Sequence, residues 1–284
     1  RDLTGQVEMS RPTVYRRLDR LRDAGIVRST TRPETDGHHR QAVRLAVDGG
    51  VAEIRLSHPE KLNCFSLELA EDLRDLTLSI DEYDDVSAVV VTADGRSFSA
   101  GADVDIVGDD DPEAGERLQE LYGPAFEWMR NEPIPVVAGG RGPIVGAGAS
   151  VLCYAADLRV VGEDVEIWWP EVAYGIPPLS RLIALKEDVG APHALELMLL
   201  GEDGKMDAEE AHELGLVNRV VAPEDVDDEA RRMAETIAAY DDEHGIVEGF
   251  LDTLRHARTE QHSGSTAYAR YRRDVEQGFR GDGS

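Results

Sequence analysis

Two glycine-rich segments contain the residues of this chain that are best suited to chemistry. Residues 98–103 read FSAGAD, and residues 146–149 read GAGA. Small residues leave backbone N–H groups uncovered, and a helix that begins at such a segment adds partial positive charge. Two such turns that face each other could hold the oxygen of a thioester as it becomes an enolate. The alternative is that each glycine only permits a tight turn.

The elements that must position these segments follow from the hydrophobic pattern. One apolar run, residues 88–92, precedes the first segment, and another, residues 134–138, precedes the second. Residues 43–56 alternate between apolar and polar side chains around Asp-Gly-Gly, which predicts two strands joined by a hairpin turn. Strands and helices then alternate to about residue 222, and helices are predicted at 223–240 and 246–258. The pattern predicts an α/β core.

Further segments give the chain a family resemblance. Residues 58–63 read HPEKLN, residues 168–171 read WWPE, and residues 207–221 read DAEEAHELGLVNRVV. Together with the two glycine-rich segments, they resemble the enoyl-CoA hydratase/isomerase family, also called the crotonase superfamily, over residues 43–240. The resemblance implies a spiral of β-β-α repeats with C-terminal helices. It also implies a homotrimer or hexamer in which residues 268–279 contact a neighbouring subunit.

The resemblance also assigns roles to individual residues. It makes Ala102 and Ala147 the two N–H donors of an oxyanion hole and Glu171 a catalytic carboxylate. The substrate is then an acyl-CoA thioester, and no cofactor is implied beyond the coenzyme A that the substrate carries. Trp168 and Trp169 could line the acyl pocket, and the alternative is that at least one packs in the core or at a subunit contact. For Asp103 the alternative is the N-cap of a helix. The residues assigned to binding of the substrate and its CoA are Lys61, Leu62, Asn63, Ala100, Gly101, Asp103, Gly146, Gly148 and Trp169.

One departure from the family pattern bears on the reaction. Hydratases of this family carry a second glutamate on the helix after the glycine loop, whereas this chain has Ser150 at that position. A serine hydroxyl can orient a water molecule but cannot accept its proton at neutral pH, while a single carboxylate can still move a proton between carbons. We therefore include Ser150 among the candidate catalytic residues and favour isomerisation over hydration. The helix is also one residue longer than usual before Asp157.

The first 42 residues form a candidate second unit. Residues 3–27 resemble the helix-turn-helix of a winged-helix DNA-binding domain, with Val14, Leu18 and Leu21 on one helix face. Residues 1–44 hold ten arginines and six acidic residues, hence +4, whereas the whole chain carries −27. Such domains normally have another helix before this segment, so DNA binding is left open and is not favoured. The predicted organisation is 1–42 for the partial winged helix, 43–222 for the acyl-CoA core and 223–284 for helices that assemble the oligomer.

Composition narrows the class of protein further. Acidic residues number 57 against 30 lysines and arginines, a bias that suits adaptation to high salt, since dense carboxylates keep a surface hydrated. No stretch is long and apolar enough to span a membrane, and no signal peptide opens the chain. Cys64 and Cys153 are far apart without a CxxC pattern, and the eight histidines are scattered. We therefore expect a cytoplasmic protein with reduced cysteines and no metal site.

Three functions stay open at this point. The leading one is an acyl-CoA isomerase, with an enoyl-CoA hydratase as its alternative within the same family. The second is an acyl-CoA-responsive DNA-binding regulator whose catalytic body has become a ligand sensor. The third is a catalytically silent oligomer that binds CoA esters. Glu171 and both glycine-rich segments are present in the chain, which favours the first.

Overall fold

The computed structural model describes residues 42–107, 112–175, 179–244 and 247–263. The predicted winged-helix segment, apart from Ala42, and the predicted subunit contact at 268–279 lie outside the described residues. Within the four ranges, no helix has the length and apolar character needed to cross a bilayer. The same ranges contain no group of three or more His, Cys, Asp or Glu that could hold a metal ion.

The core begins with a tight β-hairpin, as the alternating pattern predicts. Strand β1 (Val43–Asp48) pairs antiparallel with β2 (Val51–Leu56) across a two-residue turn. Gly49 and Gly50 make this turn at φ values of 58° and 78°. Positive φ at both turn positions gives a turn whose twist matches that of the flanking strands, and glycine adopts it without strain.

After the hairpin, the chain adds strands to two sheets. Their bounds are β3 (Ala88–Ala93), β4 (Val136–Gly140), β5 (Pro143–Val145), β6 (Leu158–Gly162), β7 (Glu166–Trp168), β8 (Met206–Asp207) and β9 (Arg219–Val221). In the described part of the chain, the larger sheet has the order β1-β2-β3-β4-β6-β9, and all pairs beyond the hairpin are parallel. The smaller sheet has the order β5-β7-β8. Every residue of β3 is buried, as expected for a parallel strand covered on both faces.

Helices of very different lengths connect and cover the strands. They are α1 (Leu67–Ser79), α2 (Val104–Val107), α3 (Pro112–Asn131), α4 (Ala147–Ser150), α5 (Leu179–Leu199), α6 (Ala208–Glu213), α7 (Val226–His244) and α8 (Val247–Ser263). The helices predicted near 223–240 and 246–258 are thus confirmed as α7 and α8, with later ends. The predicted alternation of strands and helices up to residue 222 is confirmed as well.

One face of the large sheet packs on α1, α3 and the small sheet. Ser66 begins α1 by accepting a hydrogen bond from the Leu69 N–H at 3.2 Å, which satisfies one of the free N–H groups at the helix start. Leu69 and Leu73 lie one turn apart and are buried in the main core, together with Phe126 and Met129 of α3. This face therefore holds the largest side chains of the core.

Helix α7 covers the opposite face of the large sheet with small residues. Ala230, Ala234 and Ala238 recur every fourth position and pack with buried valines of the central strands. A Cβ on Gly139 of β4 would lie 3.0 Å from the Ala230 Cβ. The small side chains let helix and strands approach closely, so the sheet is buried on both faces.

Candidate active site

The two glycine-rich segments lie directly against each other. Ser99 and Ile144 form a parallel bridge, and the Val145 N–H donates to the Ser99 carbonyl at 2.9 Å. A Cβ on Gly101 would come within 2.9 Å of the Val145 carbonyl oxygen, and a Cβ on Gly148 within 2.5 Å of the Ser99 Cβ. Glycine is therefore required at both positions because the segments are in contact. At Gly101 a φ of 86° adds a second reason.

The backbone N–H groups of Ala102 and Ala147 flank this contact. Phe65 holds the chain on both sides of Ala102, since its N–H donates to the Gly101 carbonyl at 2.7 Å and its carbonyl accepts from the Asp103 N–H at 3.1 Å. Ala147 is the first residue of α4, where the N–H has no partner inside the helix. Neither alanine N–H has an acceptor within the described ranges. An oxyanion hole requires N–H donors without a partner inside the protein. That the N–H groups of Ala102 and Ala147 form an oxyanion hole stays a prediction.

Glu171 lies on the 3₁₀ turn Pro170–Tyr174, next to the second glycine-rich segment. Its Oε1 is 3.2 Å from the position that a Cβ on Gly146 would occupy. Its Oε2 is buried, and no described residue donates a hydrogen bond to it. Burial raises the pKa of Glu171 to about 7, although its own backbone N–H and the charge of Arg181 act in the opposite direction. A carboxyl group with this pKa can take and return a proton near neutral pH.

Ser150 is buried at the end of α4, and its hydroxyl proton already takes part in a hydrogen bond within the protein. The Ser150 Oγ donates to the Gly146 carbonyl at 3.0 Å, one turn earlier in the helix. The oxygen can still accept a hydrogen bond, but the proton is committed to the backbone. The catalytic role of Ser150 stays a prediction, restricted to accepting a hydrogen bond.

A π-helical turn, Val151–Ala155, follows α4 and ends two residues before Asp157. The Ala156 N–H donates to the carbonyl five residues back, at 3.1 Å, instead of four. The Arg159 guanidinium donates to the carbonyls of Cys153 and Ala156 at 3.1 and 3.4 Å. A π-helical turn holds more residues per turn than an α-helix, so the predicted extra residue before Asp157 would fit here, after the glycine-rich segment.

The segment 61–63 is shaped by Asn63. The Asn63 side chain accepts from the His58 N–H at 2.8 Å and donates to the carbonyls of Asp94 and Ser97, each at 2.9 Å. Leu62 and Asn63 both have a positive φ, 52° and 51°, which these hydrogen bonds hold in place. The Asn63 N–H also donates to the His58 carbonyl at 3.0 Å, and the Asn63 carbonyl accepts from the Ser99 hydroxyl at 2.8 Å. The prediction that Asn63 binds CoA is therefore restricted to the second lone pair of its carbonyl.

Lys61 is the charged group of the same segment. Its exposed Nζ lies 3.4 Å from Asp103 Oδ2, and the hydrogen bond and charge of Asp103 raise the pKa of Lys61. Asp103 Oδ1 also accepts from the Asp105 N–H at 3.1 Å and so caps α2, which confirms its predicted N-cap alternative. The Ala100 N–H donates to the Leu62 carbonyl at 2.9 Å and ties the first glycine-rich segment to this loop. Contact of these residues with CoA stays a prediction.

Trp169 lies in the core and not on an open wall. It is only 1% exposed, and its Nε1 is buried without an acceptor among the described residues. The neighbouring Trp168 is half-buried, and the Lys205 Nζ lies 4.4 Å from the centre of its ring. The core alternative therefore describes Trp169 better, and its contact with substrate stays a prediction.

Two residues that the sequence does not single out lie near Glu171. The Tyr122 ring packs edge-on against Phe65 with the ring centres 5.3 Å apart, and the Arg181 guanidinium lies 4.8 Å from the centre of the Tyr154 ring. Charge interactions connect Tyr122 with both Glu171 and Arg181. Tyr122 falls on the apolar stripe of α3, which is the pattern of a core residue, and Arg181 stands in no motif. Their position could therefore be found only from the fold.

Comparison with known proteins identifies the family. Residues 46–269 match the sequence profile of the family described as enoyl-CoA hydratase/isomerase. A Thermus thermophilus protein with the provisional name of an enoyl-CoA hydratase is 35% identical over 201 residues, which are 67% of this chain and 75% of that protein. The 1,2-epoxyphenylacetyl-CoA isomerase of Escherichia coli is 30% identical over 198 residues, which are 68% of this chain and 74% of that protein.

Solved structures agree with this assignment. An enoyl-CoA hydratase/isomerase from Xanthobacter autotrophicus Py2 aligns with a TM-score of 0.69 and 29% identity over 78% of this chain and 82% of that one. DspI of Pseudomonas aeruginosa aligns with a TM-score of 0.71 and 26% identity over 84% of this chain and 96% of that one. These likenesses confirm the predicted crotonase-like α/β fold. The chain therefore belongs to the enoyl-CoA hydratase/isomerase family of enzymes.

Proposed function

We propose that the protein isomerises enoyl-CoA thioesters, with Glu171 as acid/base and the N–H groups of Ala102 and Ala147 as oxyanion donors. The names of the relatives do not decide between hydratase and isomerase, since the Thermus protein carries a hydratase name and the Escherichia protein an isomerase name. The residues around Glu171 favour isomerisation. Coenzyme A enters as part of the substrate, held by Lys61 and the backbone carbonyls of residues 61–63, and no separate cofactor takes part.

The reaction needs one group that carries a proton between two carbons. In a 3-enoyl-CoA, the Glu171 carboxylate removes a proton from C2, next to the thioester carbonyl. The electron pair of the broken C–H bond enters a dienolate that extends from the carbonyl oxygen to C4, and the two backbone N–H groups stabilise the oxygen. Glu171 then returns the proton to C4, and the double bond moves from C3–C4 to C2–C3. One carboxylate performs both transfers.

The observation that carries the proposal is the state of the Glu171 carboxyl group. The residue is half-buried, its Oε2 is buried without a donor among the described residues, and burial raises its pKa to about 7. Hydration would need, in addition, a second group that accepts or guides a proton of water. Ser150 stands where that group is expected, and its own proton is donated to the Gly146 carbonyl. The site therefore favours a reaction with a single proton carrier.

An ultraviolet assay of crotonyl-CoA and a 3-enoyl-CoA tests this proposal. We expect the wild type to convert the 3-enoyl ester, and Glu171→Gln to lose at least about 10²-fold in kcat, as is typical for removal of a general base. Glu209→Gln makes the same chemical change at an exposed glutamate of α6 and is expected to keep full activity. Ser150→Ala is expected to keep isomerisation.

Two results would overturn the proposal, and each would favour a different function. Rapid hydration of crotonyl-CoA that Ser150→Ala abolishes would assign the protein to the hydratases and give Ser150 a direct role. Absence of turnover with either ester, while CoA esters still bind, would favour the catalytically silent CoA-binding protein instead.

A further inference from the structure

Arg159 is a buried cation that the proposed reaction does not use. It lies on β6, is only 7% exposed and pairs with Asp188 of α5, with 2.7 Å between Nη1 and Oδ2. The same Nη1 donates to the Leu216 carbonyl at 2.9 Å, and Nη2 donates to the carbonyls of Cys153 and Ala156. A buried ion pair often stabilises a fold no better than apolar residues of the same volume would. The position of these acceptors therefore matters more than their contribution to stability.

Two of the acceptors lie at the end of the helix that begins with Ala147. Helix α4 and the π-helical turn after it form one continuous helical segment, residues 147–155, because the residues at their junction keep right-handed helical backbone angles. Carbonyl groups at the end of a helix have no partner inside it. Cys153 lies in the last turn of the segment, and Ala156 follows it directly. Arg159 thus binds one end of the segment, and the proposed oxyanion donor lies at the other end.

Packing gives this segment little resistance to a shift along its own axis. Its first four residues are Ala, Gly, Ala and Ser, and small side chains form only shallow ridges. At Gly148 the Ser99 side chain faces bare backbone, a contact that sets how closely the two glycine-rich segments approach. The position along the axis then depends on hydrogen bonds at the ends of the segment, and Arg159 supplies two of them.

The late sequence segment, residues 207–221, holds Arg159 itself in place. The Asn218 side chain accepts from the Arg159 N–H at 2.7 Å, and the Asn218 N–H donates to the Arg159 carbonyl at 2.9 Å. The Leu216 carbonyl accepts from the guanidinium of the same residue. Because β6 pairs with both β4 and β9, these bonds fix Arg159 relative to the large sheet. The helical segment is therefore tied to the sheet through one side chain.

We propose that Arg159 is a positioning residue, which holds the end of residues 147–155 and thereby places the Ala147 N–H where the thioester oxygen becomes negative. The proposal rests on the acyl-CoA function proposed above. An oxyanion hole stabilises charge with donors that are in place before the charge develops, and a misplacement of about 1 Å can cost about 10²-fold in rate. The acceptors of Arg159 are protein groups, so the residue acts through the backbone and not on the substrate.

Infrared spectra of a bound ester test the position of the donor without turnover. Hexanoyl-CoA with ¹³C at the thioester carbonyl is saturated, and its carbonyl stretch moves to lower wavenumber when N–H groups donate to the oxygen. We expect this shift in the wild type, and we expect Arg159→Lys to lose up to about half of it, since one of two donors is displaced. Ala102 should keep its place because Phe65 holds it separately. Isothermal titration calorimetry gives the Kd, so that the spectra are taken at saturation.

Kinetics with a 3-enoyl-CoA give a second readout. Lysine keeps the positive charge of Arg159, but its compact ammonium group cannot serve acceptors on both sides as a planar guanidinium does. Arg159→Lys is therefore expected to lower kcat by about 10–100-fold and to change KM by less than about threefold, because the displaced donor acts on the transition state.

A stability control separates positioning from general damage. Ile54→Ala removes buried atoms from β2, which is separated from β6 by two other strands of the large sheet. This change is expected to lower the urea midpoint through the cavity it leaves. The carbonyl shift and kcat should stay at the wild-type values, since residues 147–155 keep their hydrogen bonds.

A milder pair of variants changes the support of Arg159 at an exposed residue. Asn218→Ala removes the oxygen that accepts from the Arg159 N–H, and it is expected to lower kcat by about three- to tenfold with part of the carbonyl shift lost. Asn218→Asp keeps an oxygen at this place and is expected to stay within about twofold of the wild type. This pair decides the matter if Arg159→Lys does not fold.

An Arg159→Lys variant with the full carbonyl shift and kcat of the wild type would overturn the proposal. Equal losses in Arg159→Lys and Ile54→Ala would overturn it as well, because lowered stability would then explain both. If Arg159→Lys does not fold, wild-type values in Asn218→Ala would have the same meaning. A carbonyl shift that depends on Arg159 in a protein without isomerase activity would keep the positioning role and reject the proposed reaction, whereas a wild type without any shift would reject the oxyanion hole and the positioning role.

Discussion

At the Glu171 carboxyl group, burial and nearby positive charge act on the pKa in opposite directions. Burial removes water from the carboxylate and raises the pKa, while Arg181 and the backbone N–H of Glu171 favour the ionised form. The resulting pKa of about 7 suits a group that has to accept a proton and return it within one turnover.

The pH dependence of the reaction should follow this carboxyl group. Glu171 must be ionised to remove a proton, so we expect kcat/KM for a 3-enoyl-CoA to rise with pH through an apparent pKa of about 7. Arg181→Gln removes the favourable charge and should move the inflection to higher pH, whereas Arg181→Lys should leave it close to the wild type. A pH–rate profile of the three proteins measures this. An inflection that moves to lower pH in Arg181→Gln would contradict the assignment.

Glu171 should also reduce the stability of the protein at higher pH. Its pKa is about 7 in the folded state against an ordinary 4.5, so the folded state binds this proton more tightly than the unfolded state. The free energy of unfolding therefore falls as pH rises between these values, and the loss persists above them. Glu171→Gln should raise the free energy of unfolding by about 1–3 kcal/mol at pH 8 and by much less at pH 5.

Urea unfolding at the two pH values measures this effect, with Glu209→Gln as the exposed control. An equal gain for Glu171→Gln at both pH values would show that ionisation of the carboxyl group is not its cause.

Individual residues differ in how far their place could be predicted. Ala102, Ala147 and Glu171 stand in the segments that carry the family resemblance, so the resemblance was enough to nominate them. Tyr122 and Arg181 could not be nominated, because an aromatic residue on an apolar stripe and a lone arginine look the same in a core, on a surface or in a site.

The short helix α4 carries the proposed oxyanion donor at a position that permits a selective test. Ala147 is its first residue, where proline is tolerated because the N–H has no intrahelical partner. Ala147→Pro should remove the donor without removing a helix hydrogen bond, and kcat should fall by about 10²–10³-fold. Ala147→Ser keeps the N–H and serves as the control. Comparable kcat values in Ala147→Pro and Ala147→Ser would show that this N–H does not stabilise the transition state.

The contact between the two glycine-rich segments predicts a second effect at the scale of elements. A Cβ on Gly148 would overlap Ser99, so Gly148→Ala should lower the free energy of unfolding by about 1–3 kcal/mol through overpacking. Gly249 is exposed on α8 with nothing within 4 Å of its Cβ position, and Gly249→Ala should be neutral or stabilising by up to about 1 kcal/mol. Chemical denaturation measures both. A Gly148→Ala variant as stable as the wild type would mean that the segments can separate without cost.

The elements themselves were largely predictable, and the exception has a physical reason. The hairpin and the strands of the large sheet have strong periodicity and turn residues, so their patterns have one interpretation. The exception is the π-helical turn Val151–Ala155, because one additional residue can be placed at any of several points along a helix. The Arg159 guanidinium donates to carbonyls at the end of this turn, a contact that the sequence pattern does not predict.

For the whole molecule, the excess of negative charge is the dominant feature. The chain carries 57 acidic and 30 basic residues, and arginines such as Arg55, which pairs with Glu53 and Asp227, bind only part of the carboxylates. Salt screens the repulsion among the others, so we expect the thermal unfolding midpoint to rise between about 0.1 M and 2 M KCl. Thermal scans followed by circular dichroism measure it. A falling midpoint would mean that screening of ion pairs outweighs relief of repulsion.

The central claim is that one carboxylate removes and returns the proton, and transfer of an isotope label tests it most directly. A 3-hexenoyl-CoA deuterated at C2 is converted in ordinary water, and the product is analysed for deuterium at C4 by mass spectrometry and NMR. The account predicts that part of the 2-enoyl product carries deuterium at C4, because the buried Oε2 of Glu171 can return its deuteron before it exchanges with water. It also predicts that Glu171→Gln forms product at least about 10²-fold more slowly. Product formed by Glu171→Gln at the wild-type rate would contradict the account.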